Sequence, residues 1–489
     1  MALDCGASNI RLIEVAWTDG RLQCLERARF ENGPRLAGDR QVWDYGTIFR
    51  EIAAALRTAG AAAVPYASIG ADSWGVDYVL LDEAGHLLGP AISYRDAHTG
   101  GQIEHYTACH LPAHKLFAAT GLPCLPFNTL FQLYAQCRSD PDLLRRARRL
   151  LFTADYVHYW LSGVAANERT LASTSQMLDT EGAWLLPILD SVGLSRAALA
   201  PPVPAGTILG SLRPALAHET GLGEIRVIAP AAHDTQSAIL STPATGDADW
   251  AYLSSGTWSI IGLESAVPFT GAPAEEAGLG NESGYGGTFC VQSTVIGLWL
   301  VQEIQRQFGI KEITILSGQA ERETPFRSLV NPADPRFFNP ADMVAEIMTA
   351  CREAGESIPV TPAQLVRCAY DSLALLYRET LLKFSAATGR NIRRLHVLGG
   401  GSKAVLLNRL CATATGLPVY AGPAEATAIG NGLAQFIALG VVSGPEQGRH
   451  LVRASFPPDL FEPEIMPELD DAIARFRRLS DGQEPRGGR

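Results

Sequence analysis

Short apolar runs alternate with longer stretches of helical spacing along most of this chain, the pattern of an α/β protein. The clearest unit lies near the C-terminus. Thr361-Pro362 reads as an N-cap followed by proline at the first helical position, and Leu365, Ala369, Leu373, Leu376 and Phe384 then recur on one helical face until Gly389. "RLHVLGGGS" (394–402) is a strand running into three glycines, "AVLLNRLCATATG" a helix closed by Gly416, "LPVYAG" a strand, and "EATAIGNGLAQFIALG" a third helix.

Two segments repeat one design. "ALDCGASNIRLIEV" (2–15) and "AYLSSGTWSIIGLE" (251–264) each pass from a short apolar strand through a small-residue turn into a second strand, a hairpin with a glycine tip. Standing at the head of two halves of similar size, they predict two similar lobes facing each other across a cleft. The turn-rich "STPATGDADW" (241–250) marks the boundary, giving lobes of 1–243 and 244–475 and a polar tail of 476–489.

"VIAPAAHDTQSAIL" (227–240) places His233-Asp234 where a buried strand, Val227-Ile228-Ala229, gives way to a helix. Asp is a favoured N-cap. Alternatively, Asp234 stands at the carboxyl edge of a sheet, where open α/β folds bind ligands.

Composition narrows the functions. At 489 residues the chain exceeds one core, and a net charge of −11 opposes nucleic acid as the main partner. The basic run "RRARR" (145–149) after Pro141-Asp142 reads as a solvated helix face. Nine cysteines at wide spacings, without a C-x-x-C pair, read as reduced thiols of a cytoplasmic protein. The N-terminus lacks the features of a signal peptide, and no run of 18 apolar residues spans a membrane.

Neither a P-loop nor a G-x-G-x-x-G fingerprint occurs. Small-residue tips can hold phosphates instead, through backbone N–H groups and hydroxyls. "GASNIR" (6–11), "SSGTW" (254–258) and Gly399–Gly401 are three such tips. In the first half, "SIGADSWGVDYVLLD" (68–82) is a strand, a break at 72–75 and a strand; "SYRD" (93–96) and "LPFNTLFQL" (125–133) follow. Aromatics beside carboxylates and amides suit a polyol, though Trp74 in the core with Asp72 and Asp77 as turn residues reads equally well.

With "DSWGVDYVLLD", "YRD", "LPFNTLFQL", "HDTQSA", "YLSSGTWSIIGLES", "GLWLVQ", "CAYDSLALLYRE", "LHVLGGGS" and "AGPAEATAIGN" in this order, the chain resembles the FGGY carbohydrate kinases. That resemblance implies two actin/Hsp70-like (ribonuclease H-like) ATPase lobes. It implies transfer of the γ-phosphoryl of ATP to the 1-hydroxyl of a ketose, L-rhamnulose first, L-fuculose or L-xylulose as alternatives, by a monomer or homodimer. Asp234 inherits the role of catalytic base. His233, Thr235, Gly75 and Thr294 are implied at the sugar. Ala7, Ser8, Asn9, Ile10, Arg11, Thr257, Gln302 and Gly400 are implied at ATP, and Asp4 at Mg²⁺ through water. An aspartate near its ordinary pKa of about 3.9, lowered further by a helix N-terminus, is the expected base.

Two positions depart from the family pattern: Asn9-Ile10 fills the place of a second glycine in the phosphate tip, and Thr294 that of a sugar-touching asparagine. Strand one is also short before Asp4. The same fold serves chaperone-like and filament-forming ATPases and sugar sensors; His233-Asp234-Thr235 and the polar-aromatic segments of the first half speak for a kinase.

Overall fold

The computed structural model describes residues 1–62, 64–246 and 249–481. The chain forms two compact units. The first comprises Met1–Ser241, Glu264–Val291 and Glu425–Phe456, and the second takes Thr242–Leu263, Gln292–Ala424 and the residues from Pro457 on. Two late segments thus return to the first unit, where the sequence suggested a single cut at 243.

The first unit is built on strands β1 (Ala2–Cys5), β2 (Asn9–Thr18), β3 (Arg21–Glu31), β4 (Ser68–Ser73), β5 (Thr207–Ser211) and β6 (Arg226–Ala229). They lie in the order β5-β6-β4-β1-β2-β3. The three consecutive pairs β1–β2, β2–β3 and β5–β6 are antiparallel, and β4 runs parallel to both β1 and β6. All four residues of β1 are buried, as expected of a strand covered on both faces. Ile10 and Leu12 of β2 join the main core with Ile52 and Leu56. Ile13 points the other way, onto Ala428.

That second face is covered by helix α2 (Ala426–Ala438), which also crosses helix α1 (Asp234–Leu240). Glycines set both approaches. A Cβ on Gly430 would stand 1.7 Å from the Ser237 carbonyl oxygen, and one on Gly432 would stand 2.7 Å from Val15. Asn431 and Gln435 of α2 bind β4, the first to Asp72 (2.5 Å) and the second to Ser68 (2.7 Å).

The second sheet has seven strands and falls mostly in the second unit; β7 (Trp250–Ser255), β8 (Trp258–Ser265), β9 (Phe289–Ile296), β10 (Arg394–Leu398), β11 (Val419–Ala421) and β12 (Asp459–Phe461) follow the order β9-β8-β7-β10-β11-β12 in it. β7–β8 is again an antiparallel hairpin, β10 is parallel to β7 and β11, and β12 is antiparallel to β11. The repeat seen in the sequence is therefore a repeat of sheet topology. Helix Pro362–Thr388 starts on the Thr361 side chain, which accepts from Gln364 N–H, and stops at left-handed Gly389. Tyr377 ties it to β8 through Ser259 (2.7 Å).

Four local expectations change. His233, with no side-chain cap bond, is the N-cap of α1, and Asp234 is the first helical residue. The "RRARR" run is no helix face, because its helix ends at Arg146, Ala147 is buried and Arg149 opens a strand. The strand over 68–73 runs through Asp72 and Ser73, and the break falls after it. Residues 476–481 end helix Leu469–Asp481 and Phe476 is buried, so they are not tail; 482–489 lie outside the described residues.

Candidate active site

On the first unit, carboxylates gather at the carboxyl ends of adjacent strands. Asp4 and Asp72 are register partners on parallel β1 and β4, and Asp234 opens the helix after β6. Burial pushes the Asp4 carboxyl up, against the pull of Arg11. Burial, then the neighbouring Asp4, pushes Asp72 well up, and its Oδ1 has no hydrogen-bond partner. Asp234 is also raised by burial, opposed by His233 and reinforced by Asp4. This reverses the expected lowering: at this site lost hydration outweighs the helix terminus.

The turn Gly6–Ser8 between β1 and β2 is pinned by Asn32, whose side chain donates to Gly6 C=O (2.9 Å) and whose N–H donates to Ser8 C=O (3.0 Å). Ala7 is partly buried and Ser8 exposed. Asn9 begins β2 and accepts from Arg29 (3.3 Å). Ile10 has its side chain in the core, so only its backbone is available to a phosphate. Arg11 is already engaged on both sides, by Asp4 and by Glu425 (2.5 Å).

His233, Asp234 and Thr235 are held from several directions. Ala232 N–H donates to Glu168 (3.1 Å), and His233 N–H donates to the Thr170 hydroxyl (3.1 Å). Thr170 in turn donates to Glu168 (2.5 Å), a carboxyl that burial pushes up to about 7. Asp234 Oδ1 accepts from Thr235 N–H at 2.6 Å. The His233 ring is paired with Glu282 at 2.9 Å through Nδ1 and stands 3.5 Å from Asp234 through Nε2. Burial pulls its pKa down, but Glu282, then Asp234 and Glu168, bring it up to about 9.

Gly75 has its own reason to be glycine: a Cβ would stand 2.9 Å from the Thr174 methyl. The next residue, Val76, holds a positive φ of 69°, unfavourable for a β-branched side chain. Three contacts enforce it. Val76 N–H donates to Thr174 (3.0 Å), and Val76 C=O accepts from Thr129 (2.6 Å) and Gln132 (3.2 Å). Trp74 is a core residue; it and Trp43 both donate to Asp77 (2.9 and 2.6 Å), which burial pushes up to about 7.

On the second unit, Thr257 forms the tip of the β7–β8 hairpin and bonds Gln302 at 3.0 Å. The glycine triplet follows β10. Gly399 has a φ of 76°, and a Cβ on Gly401 would stand 2.0 Å from Ser255, whereas Gly400 faces open space. Thr294 lies on β9 with an exposed side chain. The structure thus brings His233, Asp234 and Thr235 together, and separately Thr257 and Gln302. The sequence reading missed Glu168, Thr170, Thr174, Glu282 and Glu425 as site residues. Only "AGPAEATAIGN", which contains Glu425, carried any signal.

Residues 1–241 match the N-terminal domain, and 251–439 the C-terminal domain, of the FGGY family of carbohydrate kinases. Over its full length the chain is 40% identical to a rhamnulokinase of Pectobacterium carotovorum, of which it covers 98%. It is 39% identical to a rhamnulokinase of Yersinia pestis, over 98% of each protein. Among solved structures, a xylulose kinase of Lactobacillus acidophilus superposes with a TM-score of 0.80 at 14% identity, over 99% of this chain and 98% of that one. A glycerol kinase of Plasmodium falciparum with ADP gives 0.79 at 14%, over 98% and 97%. The family match together with these structures gives the α/β actin/Hsp70-like two-domain fold.

Proposed function

The chain belongs to the FGGY family of carbohydrate kinases, with ATP as phosphoryl donor, and from that premise we propose that it phosphorylates L-rhamnulose at the 1-hydroxyl. The full-length identity to rhamnulokinases carries the substrate. The reaction joins the sugar O1 to the γ-phosphorus, breaks the bond to the β–γ bridging oxygen, releases ADP and passes the hydroxyl proton to Asp234.

What supports Asp234 in that role is its environment. Its side chain is 32% exposed, the most open member of the Glu282-His233-Asp234 series. Burial raises its carboxyl, and a raised carboxyl is a better base. Phosphoryl transfer asks little more of a base, because positioning and charge neutralisation dominate its loose transition state. The likeness to the family is what assigns His233, Thr235, Gly75 and Thr294 to the sugar with Asp234, and residues 7–11, Thr257, Gln302 and Gly400 to ATP.

Mg²⁺ fits this chain as a companion of ATP, because Asp4 stands beside its register partner Asp72, whose buried Oδ1 has no hydrogen-bond partner. Among the described residues no group of three or more His, Cys, Asp or Glu could cage a metal. Mg²⁺ ordinarily takes one or two carboxylates, with phosphates and waters completing the shell. Asp4 is the carboxylate assigned to it through water; the ion would neutralise charge developing on the transferred group.

A panel of ketoses with ATP and Mg²⁺ tests the substrate. L-rhamnulose is expected to have the highest kcat/KM, because a hydrogen-bonding site rejects a misplaced hydroxyl strongly. If L-fuculose or L-xylulose matched it, the assignment of L-rhamnulose would fall and Thr294 would be the first residue to reconsider. Absence of sugar-dependent ATP turnover with every ketose would remove the kinase reading altogether.

A further inference from the structure

We propose that Glu282 is a positioning residue that fixes the His233 ring with its Nε2–H towards Asp234 and the sugar oxygen delivered there. The proposal rests on the reading of Asp234 as base, and the experiment below separates the two.

Glu282 is held through its two neighbours in the chain. It lies on the short strand Gly280–Ser283 of the first unit. Its neighbour Asn281 both donates from its backbone N–H to Gly121 C=O (2.9 Å) and donates from its side chain to the same oxygen (3.0 Å). On the other side, Ser283 N–H donates to the Ser173 hydroxyl at 3.0 Å. With residues 281 and 283 pinned along one edge, the side chain between them has little freedom.

One carboxylate oxygen does the holding. Glu282 Oε2 is 2.9 Å from His233 Nδ1 and accepts from Gln236 Nε2 at 2.9 Å. Those two donors flank Asp234 in the chain, so Glu282 clamps the start of α1 from both sides of the catalytic candidate. An imidazolium paired at Nδ1 with a carboxylate has its charge favoured and the direction of its Nε2 restricted by that contact. The charged groups facing the ring are Glu282 from its strand, Asp234 from α1 and Glu168 from the strand Asn167–Glu168. Glu282 gives the largest favourable interaction with the charged ring. These carboxylates bring the ring's pKa up to about 9, and a ring so charged carries a proton on each nitrogen, Nδ1 beside Glu282 at 2.9 Å and Nε2 on the Asp234 side at 3.5 Å.

The test uses the full chain labelled with ¹⁵N-histidine, the His233 signal being identified by its loss in His233→Asn. In the wild type this ring is expected to keep both protons at pH 8. In Glu282→Gln it is expected to be neutral there, because burial without the anion disfavours the charged form. Glu282→Asp should fall between, and it carries the test if the glutamine variant does not fold. At pH 8, kcat/KM for the ketose should fall by about 10- to 100-fold in Glu282→Gln, as for a lost hydrogen bond to a charged group, with KM for ATP unchanged within about twofold. A His233 signal titrating at the same pH in Glu282→Gln as in the wild type would overturn the proposal, whatever the activity. Undiminished turnover in Asp234→Asn would instead remove the base assignment, while the histidine signal still decides whether Glu282 controls the ring.

Discussion

Asp4 and Arg11 face each other across the first hairpin and are joined there as an ion pair. Glu425 closes on the other side of the same guanidinium at 2.5 Å. A planar fork can hold two carboxylates at once, whereas an ammonium is a point charge. Arg11→Lys is therefore expected to raise the KM for ATP by about tenfold, one charge-assisted bond's worth, while KM for the ketose stays put. Equal changes in both constants would show that Arg11 serves the fold and not the nucleotide.

Removing the base separates binding from chemistry. Asp234→Asn keeps the shape and the contact with Thr235 N–H but cannot take a proton. It should bind the ketose by calorimetry as the parent does and lose about 10²- to 10⁴-fold in kcat. Near-parental turnover would refute the role.

The crossing of α1 and α2 leaves no room at Gly430. Gly430→Ala must push its methyl against the Ser237 carbonyl, 1.7 Å away, with a cost of about 3 kcal/mol by analogy with overpacked cores. Thermal unfolding should report it as a lower Tm. Because Ser237 lies one turn beyond Asp234, kcat should fall as well. A variant as stable as the parent would mean that the helices separate easily.

His233 makes stability depend on pH. Its pKa is raised from 6.5 to about 9 in the folded chain, so the folded state binds more protons than the unfolded state between those values. The stabilisation is complete below pH 6.5 and is lost as pH rises through 9, on the order of 1–3 kcal/mol. Urea melts at pH 6, 7.5 and 9 should show this decline in the parent and a weaker one in His233→Gln. Identical declines would assign the effect elsewhere.

On the second unit, Thr257→Val deletes the hydroxyl that meets Gln302 at 3.0 Å. The expected result is a rise of about three- to tenfold in KM for ATP, the scale of one neutral hydrogen bond, with ketose binding unaffected. An unchanged KM for ATP would remove Thr257 from the nucleotide site.

Much of this was legible because it is local. Both hairpins announce themselves by a glycine tip between apolar strands, and Gly389 and Gly416 stop their helices where left-handed backbone is required. His233-Asp234 stood out as a titratable pair between apolar runs. What escaped is contact between residues distant in sequence: Glu282 with His233, Glu425 with Arg11, Glu168 with the backbone of Ala232. No spacing rule announces such pairs. Of the two readings of Asp234, capping is not met: the helix begins at Asp234 itself, and His233 stands at the N-cap position without a side-chain cap bond. Ile10 looked like part of a phosphate loop, yet the alternation of β2 turns it into the core. The direction of the Asp234 shift also depends on burial, which the sequence does not display.

Because the first unit reclaims Glu264–Val291 and Glu425–Phe456, it cannot be finished in the order in which it is made. When Ser241 leaves the ribosome, α1 still lacks the helix that covers it, β2 lacks one of its two faces, and His233 lacks Glu282, the carboxylate that acts on it most strongly. At ordinary rates of synthesis the missing pieces arrive on the order of tens of seconds later. The nascent half must wait with apolar surface bare, and a fragment ending near Ser241 is expected to aggregate when expressed alone.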